Sequence, residues 1–262
     1  MRNFLVRLAT GFIPRKIDRQ NFRNKYLKQN VEDFNTIVEA EISSEEDFKI
    51  DENGNVFVLI KEDGTRVYNP KIEGLRVNFQ GKDNTVIIES PQRPYFNSNI
   101  NFIGQKANVY IKKNTMNSFT ISNLNIRIGS NNKLVVGENF TCNGANISLD
   151  VEKNVSINIG TDVMFSYGIQ MRTSDNHAIL SKNQNGKWGA TNFAKDITIG
   201  NHVWIAQNVF IAKGSKIPDN SVVRACSFVN KAFNENNVII AGNPARIVKR
   251  NSNWDRTAPH LY

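Results

Sequence analysis

Cysteine is scarce in this 262-residue chain, with two in all, and histidine hardly less so, with three. Two distant thiols, Cys142 and Cys226, cannot build a disulfide framework, and with dispersed histidines they offer no zinc-ligand spacing. Both are read as buried, reduced thiols of a cytoplasmic protein. No apolar run reaches the ~20 residues that span a bilayer. The opening MRNFLVRLATGFIP has a short apolar segment split by Arg7, which argues against a secretory signal and for a chain that stays inside the cell. No G-x-G-x-x-G follows a strand and no G-x-x-x-x-G-K-[ST] is present, so dinucleotide and nucleoside-triphosphate enzymes of those kinds are unsupported.

What is present is a foldable composition, 40% hydrophobic and 10% aromatic, with a formal net charge of +9. That charge is concentrated. Residues 1–30 carry eight Lys or Arg against Asp18 alone, a net +7, which leaves +2 for the rest and gives no reason to expect nucleic-acid binding by the body. Phe4, Leu5, Leu8, Phe12, Ile13, Ile17 and Phe22 lie among these basic residues, so 1–30 reads as an amphipathic helical arm broken near Pro14. Residues 1–28 could contact an anionic membrane surface, or could cap the end of the domain that follows.

From residue 197 the chain reads ITIGNHVWIAQNVFIAKGSKIPDNSVVRACSFVNK, with Ile199, Ile205, Ile211, Ile217, Val223 and Val229 at successive six-residue intervals. Neither a 3.6-residue helix nor a simple alternating strand produces that period. It fits a solenoid with three short flat faces in a coil of about eighteen residues, each face sending one aliphatic side chain inward to stack on the next coil. Small residues at Gly200, Ala206 and Ala212 suit the corners. The register is visible earlier at Ile159, Phe165 and Met171, but Met171 and Ile199 are 28 residues apart, so an insertion interrupts the coil, assigned to 178–195. NVFVLIKEDGTRVYN reads as a β-hairpin turning at Asp63-Gly64, within a small cap at 31–74. The solenoid is assigned to 75–243, and a basic tail to 244–262, beginning at Pro244.

The six-residue register, the segment HVWIAQNVFIAKGSKI and the closing AGNPARIVKRN resemble the hexapeptide-repeat acyltransferases. MFSYGIQMRTSDNHAI, the loop after it and NWDR are similar to the branch that O-acetylates bacterial capsular polysaccharides, polysialic acid among them. The likeness covers about 125–256. It implies a mainly β fold, a left-handed parallel β-helix, assembled as a homotrimer with active sites between subunits, acetyl-CoA as co-substrate and no metal.

The resemblance implies that His177 is the general base, and the chemistry agrees: a sugar hydroxyl attacks a thioester well only as its proton is removed, and an imidazole titrates near neutrality. No other histidine sits where a coil meets a loop; His202 occupies a turn of the repeat and is read as structural. Asp175, two residues before His177, could orient the imidazole or simply form a turn. By the resemblance Asn146, with Asn143 as competitor, contacts the acceptor or the developing oxyanion, and Trp204 presents its ring to the acceptor or the pantetheine arm. The backbone amides of Ala206 and Gln207 would hold the thioester carbonyl. Ala225, Asn230, Lys231, Arg246 and Lys249 match nucleotide-contacting positions, the cations suiting phosphates. Arg224, where the repeat prefers a small residue, and Asn230, where a hydroxyl is common, depart from the pattern.

The expected activity is therefore O-acetylation of a capsular or lipopolysaccharide sugar, in the cytoplasm or at the inner face of its membrane. N-acetylation of an amino-sugar nucleotide is the alternative within the same chemistry, and a non-catalytic β-helix scaffold the alternative outside it.

Overall fold

A computed structural model describes residues 51–116, 120–149 and 151–261. The expected helical arm at 1–30 and the start of the expected cap lie outside these. The described residues all belong to one compact unit, 49–262. Among them no helix is long and apolar enough to cross a membrane.

The unit is a three-faced parallel β-helix. Its faces, here A, B and C, are sheets of eight, seven and eight strands, and the chain visits them in the order A, C, B within each coil. One coil, for example, runs Ser156–Ile159 on face A, Met164–Phe165 on face C and Ile169–Arg172 on face B. Inward side chains of every coil merge into one core that runs from Phe57 to Ala245. Ile199, Ile205, Ile211, Ile217, Val223 and Val229, the six positions of the repeat, are all at most 1% exposed. Their burial, on the order of 1.5–3 kcal/mol for each large aliphatic side chain, is what favours this winding over other paths.

Corners need backbone that most residues resist. Asn208 and Asn220 turn with φ of 56° and 56°, and His202 and Cys226 hold the same left-handed conformation with φ of 53° and 59°. At the A–C corner a Cβ on Gly160 would lie 2.5 Å from the Gly200 carbonyl oxygen of the next coil, so only glycine fits there.

Two findings differ from expectation. Cys142 is buried as anticipated, and burial pushes its thiol up to about 12, but Cys226 is exposed, because it sits on a corner rather than at an inward position. The hairpin of Val56–Ile60 with Arg66–Tyr68 is formed, yet Val56–Ile60 also pairs in parallel with Thr85–Glu89, so it continues face A of the solenoid. After the last coil Ile239–Ala241 pairs with Arg246–Lys249 antiparallel, and the tail folds back along the outside of face C.

Candidate functional site

Past Ile169–Arg172 the chain leaves the solenoid at the corner between faces B and A and rejoins it at Ile197–Ile199. The excursion carries an exposed antiparallel hairpin, Leu180–Lys182 with Trp188–Ala190. Glu152 fastens its neck, accepting from Ser174 Oγ at 2.9 Å and from the Ala194 amide at 3.0 Å, while the Lys195 amide donates to the Thr173 carbonyl at 3.0 Å.

His177 lies just beyond that neck. Asn192 Nδ2 donates to the His177 carbonyl at 2.9 Å and to Asp175 Oδ2 at 2.8 Å, and Asn192 Oδ1 accepts from the Ile179 amide at 2.7 Å. Lys213, from the corner of the following coil, donates to Asp175 Oδ2 and to the Asn192 carbonyl. The hydrogen bond from Lys213, then that from Asn192, holds the Asp175 carboxyl below its ordinary range. Asp175 therefore ties down the loop backbone and makes no bond to the imidazole. The His177 ring is exposed and, among the described residues, has no partner. The result is a fixed backbone carrying a free imidazole that can accept a proton.

Asn146 is exposed on the outer surface of face B, in register with Gln170 two residues before Arg172, on the strand that leads to His177. Asn143 sits at the C–B corner, where its amide donates to the Phe165 carbonyl at 3.1 Å. Trp204 starts a strand of face C, is half-buried, and donates from Nε1 to Ser166 Oγ at 3.2 Å. Its position on another face means that a single chain does not bring it to His177.

The amide expectation needs correcting in one half. The Ala206 N–H donates to the Val223 carbonyl at 2.9 Å within the ladder, whereas the Gln207 amide lies at the C–B corner outside it. Ala225 follows Gln207 by one coil of eighteen residues and is exposed at the same corner. Asn230 and Lys231 occupy the B–A corner of the last coil, with the Lys231 ammonium 5.3 Å from the Phe233 ring, and Arg246 and Lys249 are exposed on the closing strand. These candidates share the C-terminal end of the solenoid but not one cluster.

A buried group centred on His202 was not legible beforehand. His202 Nδ1 is 2.6 Å from Asp162 Oδ2 and Nε2 is 2.9 Å from the Trp254 carbonyl, while Trp254 Nε1 donates to the His202 carbonyl at 2.8 Å. The two rings stack, 4.5 Å apart and 11° from parallel. Arg256 donates to Asp162 Oδ1 at 3.1 Å and to Thr141 Oγ1 at 2.8 Å. Burial raises the Asp162 carboxyl, but the hydrogen bond and charge of His202 and then Arg256 outweigh it, and the net displacement is downward. Trp254 also stands 6.2 Å from the Trp204 ring, so the folded-back tail forms one wall behind Trp204. The clue was NWDR, whose indole and guanidinium are costly to leave in water, but their partners lie 52 to 115 residues away. Among the described residues no group of His, Cys, Asp or Glu could hold a metal ion.

No known family model matches the chain. It is 36% identical to the polysialic acid O-acetyltransferase of Neisseria meningitidis over 180 residues, 69% of this chain and 79% of that one. It is 34% identical over 125 residues to the polysialic acid O-acetyltransferase of Escherichia coli O1:K1, a match covering 48% of this chain and 39% of that protein's length. A crystal structure of a polySia-specific acetyltransferase superposes with a TM-score of 0.63 at 31% identity, over 79% of this chain and 87% of the other.

Proposed function

The chain belongs to the hexapeptide-repeat acyltransferases, enzymes built on a left-handed parallel β-helix, and on that premise we propose that it transfers acetyl from acetyl-CoA to a hydroxyl of a bacterial surface polysaccharide. The observation that carries the reading is the exposed, unpartnered His177 imidazole on a backbone pinned by Asn192, with Lys213 bonded in turn to Asp175. His177 takes the hydroxyl proton as the sugar oxygen bonds to the acetyl carbon; the carbon–sulfur bond breaks and the proton passes on to the thiolate. General-base assistance of this kind contributes about 10²–10⁴-fold.

Gln207 presents the backbone N–H that stabilises the oxyanion, since the Ala206 amide is already committed. Ala225 keeps the same corner open, and Asn230, Lys231, Arg246 and Lys249 hold the phosphates of the nucleotide. Trp204 offers its half-exposed ring to the acceptor sugar, and Asn146 an amide beside it. Because His177 lies on the loop at the corner between faces B and A and Trp204 on face C, one complete site needs two chains, which supports a homotrimer with sites between neighbours. Catalysis is placed in the cytoplasm, where acetyl-CoA is available.

The test is transfer of labelled acetyl from acetyl-CoA to polysialic acid, then to a panel of other polysaccharides, oligosaccharides and amino-sugar nucleotides. The expected result is transfer to polymer that falls 10²–10⁴-fold in His177→Ala. Transfer only to an amino-sugar nucleotide would replace the O-acetylation reading, and a monomer that transfers at full rate by sedimentation would remove the trimer.

A further inference from the structure

The outer surface of face B is more uniform than a solvated sheet needs to be. In five successive strands, from Leu75–Phe79 to Ile169–Arg172, every outward position is Asn, Gln, Ser or Arg, and none is acidic. Inward positions alternate with these and are buried or half-buried aliphatics, aromatics and small residues, so the outward set is free to vary without cost to the core. Lys-Glu pairs would solubilise such a face equally well. They do not occur on it.

The side chains form a ladder. Asn78 donates to Asn101 at 2.8 Å and Asn99 to Asn125 at 3.0 Å, and register continues the second of these rungs through Asn146 to Gln170. Each amide that spends one group on its neighbour keeps others for a ligand, because Asn has two donors and an acceptor with two lone pairs. Arg76, Arg127 and Arg172 stand exposed along the same surface. Five strands at ~4.8 Å spacing make a strip of roughly 19 Å. Its C-terminal end is Arg172, five residues before His177.

We propose that this strip of face B is a binding track for the acceptor polymer: it holds a run of an extended, carboxylate-bearing glycan so that one sugar reaches His177. The inference rests on the acetyltransferase reading above and extends its acceptor site over coils remote from the reacting group. Amides in a row match successive hydroxyls, and arginines match carboxylates with bidentate bonds. The absence of acids on the strip removes the repulsion that would otherwise oppose an anionic chain. A flat, straight ladder suits a polymer and not a monosaccharide, since its groups repeat along one axis.

The probe is size-fractionated polysialic acid, with dextran of equal lengths as the neutral control. Binding to the full chain is measured without acetyl-CoA, and transfer is measured beside it. For the wild type, affinity and kcat/KM are expected to rise with polysialic acid length up to the span of the strip and to remain low for dextran. Arg76→Glu, at the end farthest from His177, is expected to lower both about tenfold for long fractions. Short fractions and the KM for acetyl-CoA should be unchanged. Loss of the length dependence in wild type, or an equal effect of Arg76→Glu on short and long acceptors, overturns the track. So does dissociation of the assembly by Arg76→Glu in sedimentation, which makes the strip a contact between copies. Length-dependent binding without any acetyl transfer keeps the track and overturns the catalytic reading; transfer without length dependence does the opposite.

Discussion

The coils before the loop and those after it share three faces and one core, yet they are wound at different gauges. Before the loop, Thr85 stacks on Asn108 and Lys133 on Ser156, steps of 23 residues; after it, Thr198 stacks on Lys216 and Trp204 on Val222, steps of 18. The long coils use strands of up to five residues with an alternating inward pattern, as in Leu124–Ile128, while the short coils use strands of two, as in Phe210–Ile211. In the short coils one inward residue per face leaves a six-residue period, which any reader of the sequence can count. In the long coils two or three inward residues on faces A and B, and corners of unequal length, destroy the period without disturbing the register. A solenoid thus requires constant stacking and not constant spacing. The loop with His177 emerges where one gauge gives way to the other: Gln170 pairs with Phe210, 40 residues on.

The largest expected effect lies at that junction. His177→Ala should cut acetyl transfer 10²–10⁴-fold and leave the thermal midpoint unchanged, separating the loop's chemistry from the stability of the coils on either side. An equal fall in midpoint would make His177 a structural residue.

Next come paired core truncations, Ile126→Ala in a long coil and Ile211→Ala in a short one, both 0% exposed. Each should cost about 2–5 kcal/mol. If the two gauges form one cooperative unit, both variants shift a single calorimetric transition; two resolved transitions, each moved by one variant, would divide the molecule at the loop.

The tail sharpens the comparison further, because Trp254 and Arg256 strap the coils around the junction. The Asp162 carboxyl is depressed below its ordinary 3.8, so the stability it contributes is full above that value and is lost as pH falls through the lowered one. Asp162→Asn should therefore lower stability at pH 7 by about 1–3 kcal/mol and flatten the acid limb of a melting-temperature profile as pH falls below the ordinary carboxylate range. An unchanged acid limb would show that the carboxylate contributes nothing through His202 and Arg256.

The smallest effect is chemical. Cys226, on a corner of a short coil, should react with a thiol reagent in the native protein, and Cys142, in the core and shifted to about 12, only after unfolding. Mass spectrometry of the labelled peptides decides it.

Legibility followed the same divide. Ile199 to Val229 announced the faces, and the 28-residue gap after Met171 announced the loop, because both are local spacings. The coils at 75–125 were assigned to the solenoid without their register, since their order resides in pairs such as Asn99 with Asn125, which no count along the chain reveals. Cys226 was misjudged because thiols are usually buried and a left-handed corner is invisible in the sequence. For the site, His177 stood out by type and place, while Lys213, Asn192 and Glu152, which fix the loop around it, are common residues whose importance comes from meeting there.

What this sequence determined by itself is the kind of object: a three-faced solenoid with an interruption, because burying one aliphatic residue per face at a repeating interval admits few other structures. What the tertiary structure decided is where side chains distant in the chain come together. Trp254 against His202, Arg256 on Asp162, Lys213 on Asp175 and the amide ladder of face B all depend on how many residues each coil takes to return. Between paired strands that number varies here from 17 to 40 with corner and loop length, so no fixed count along the sequence tells which residues meet.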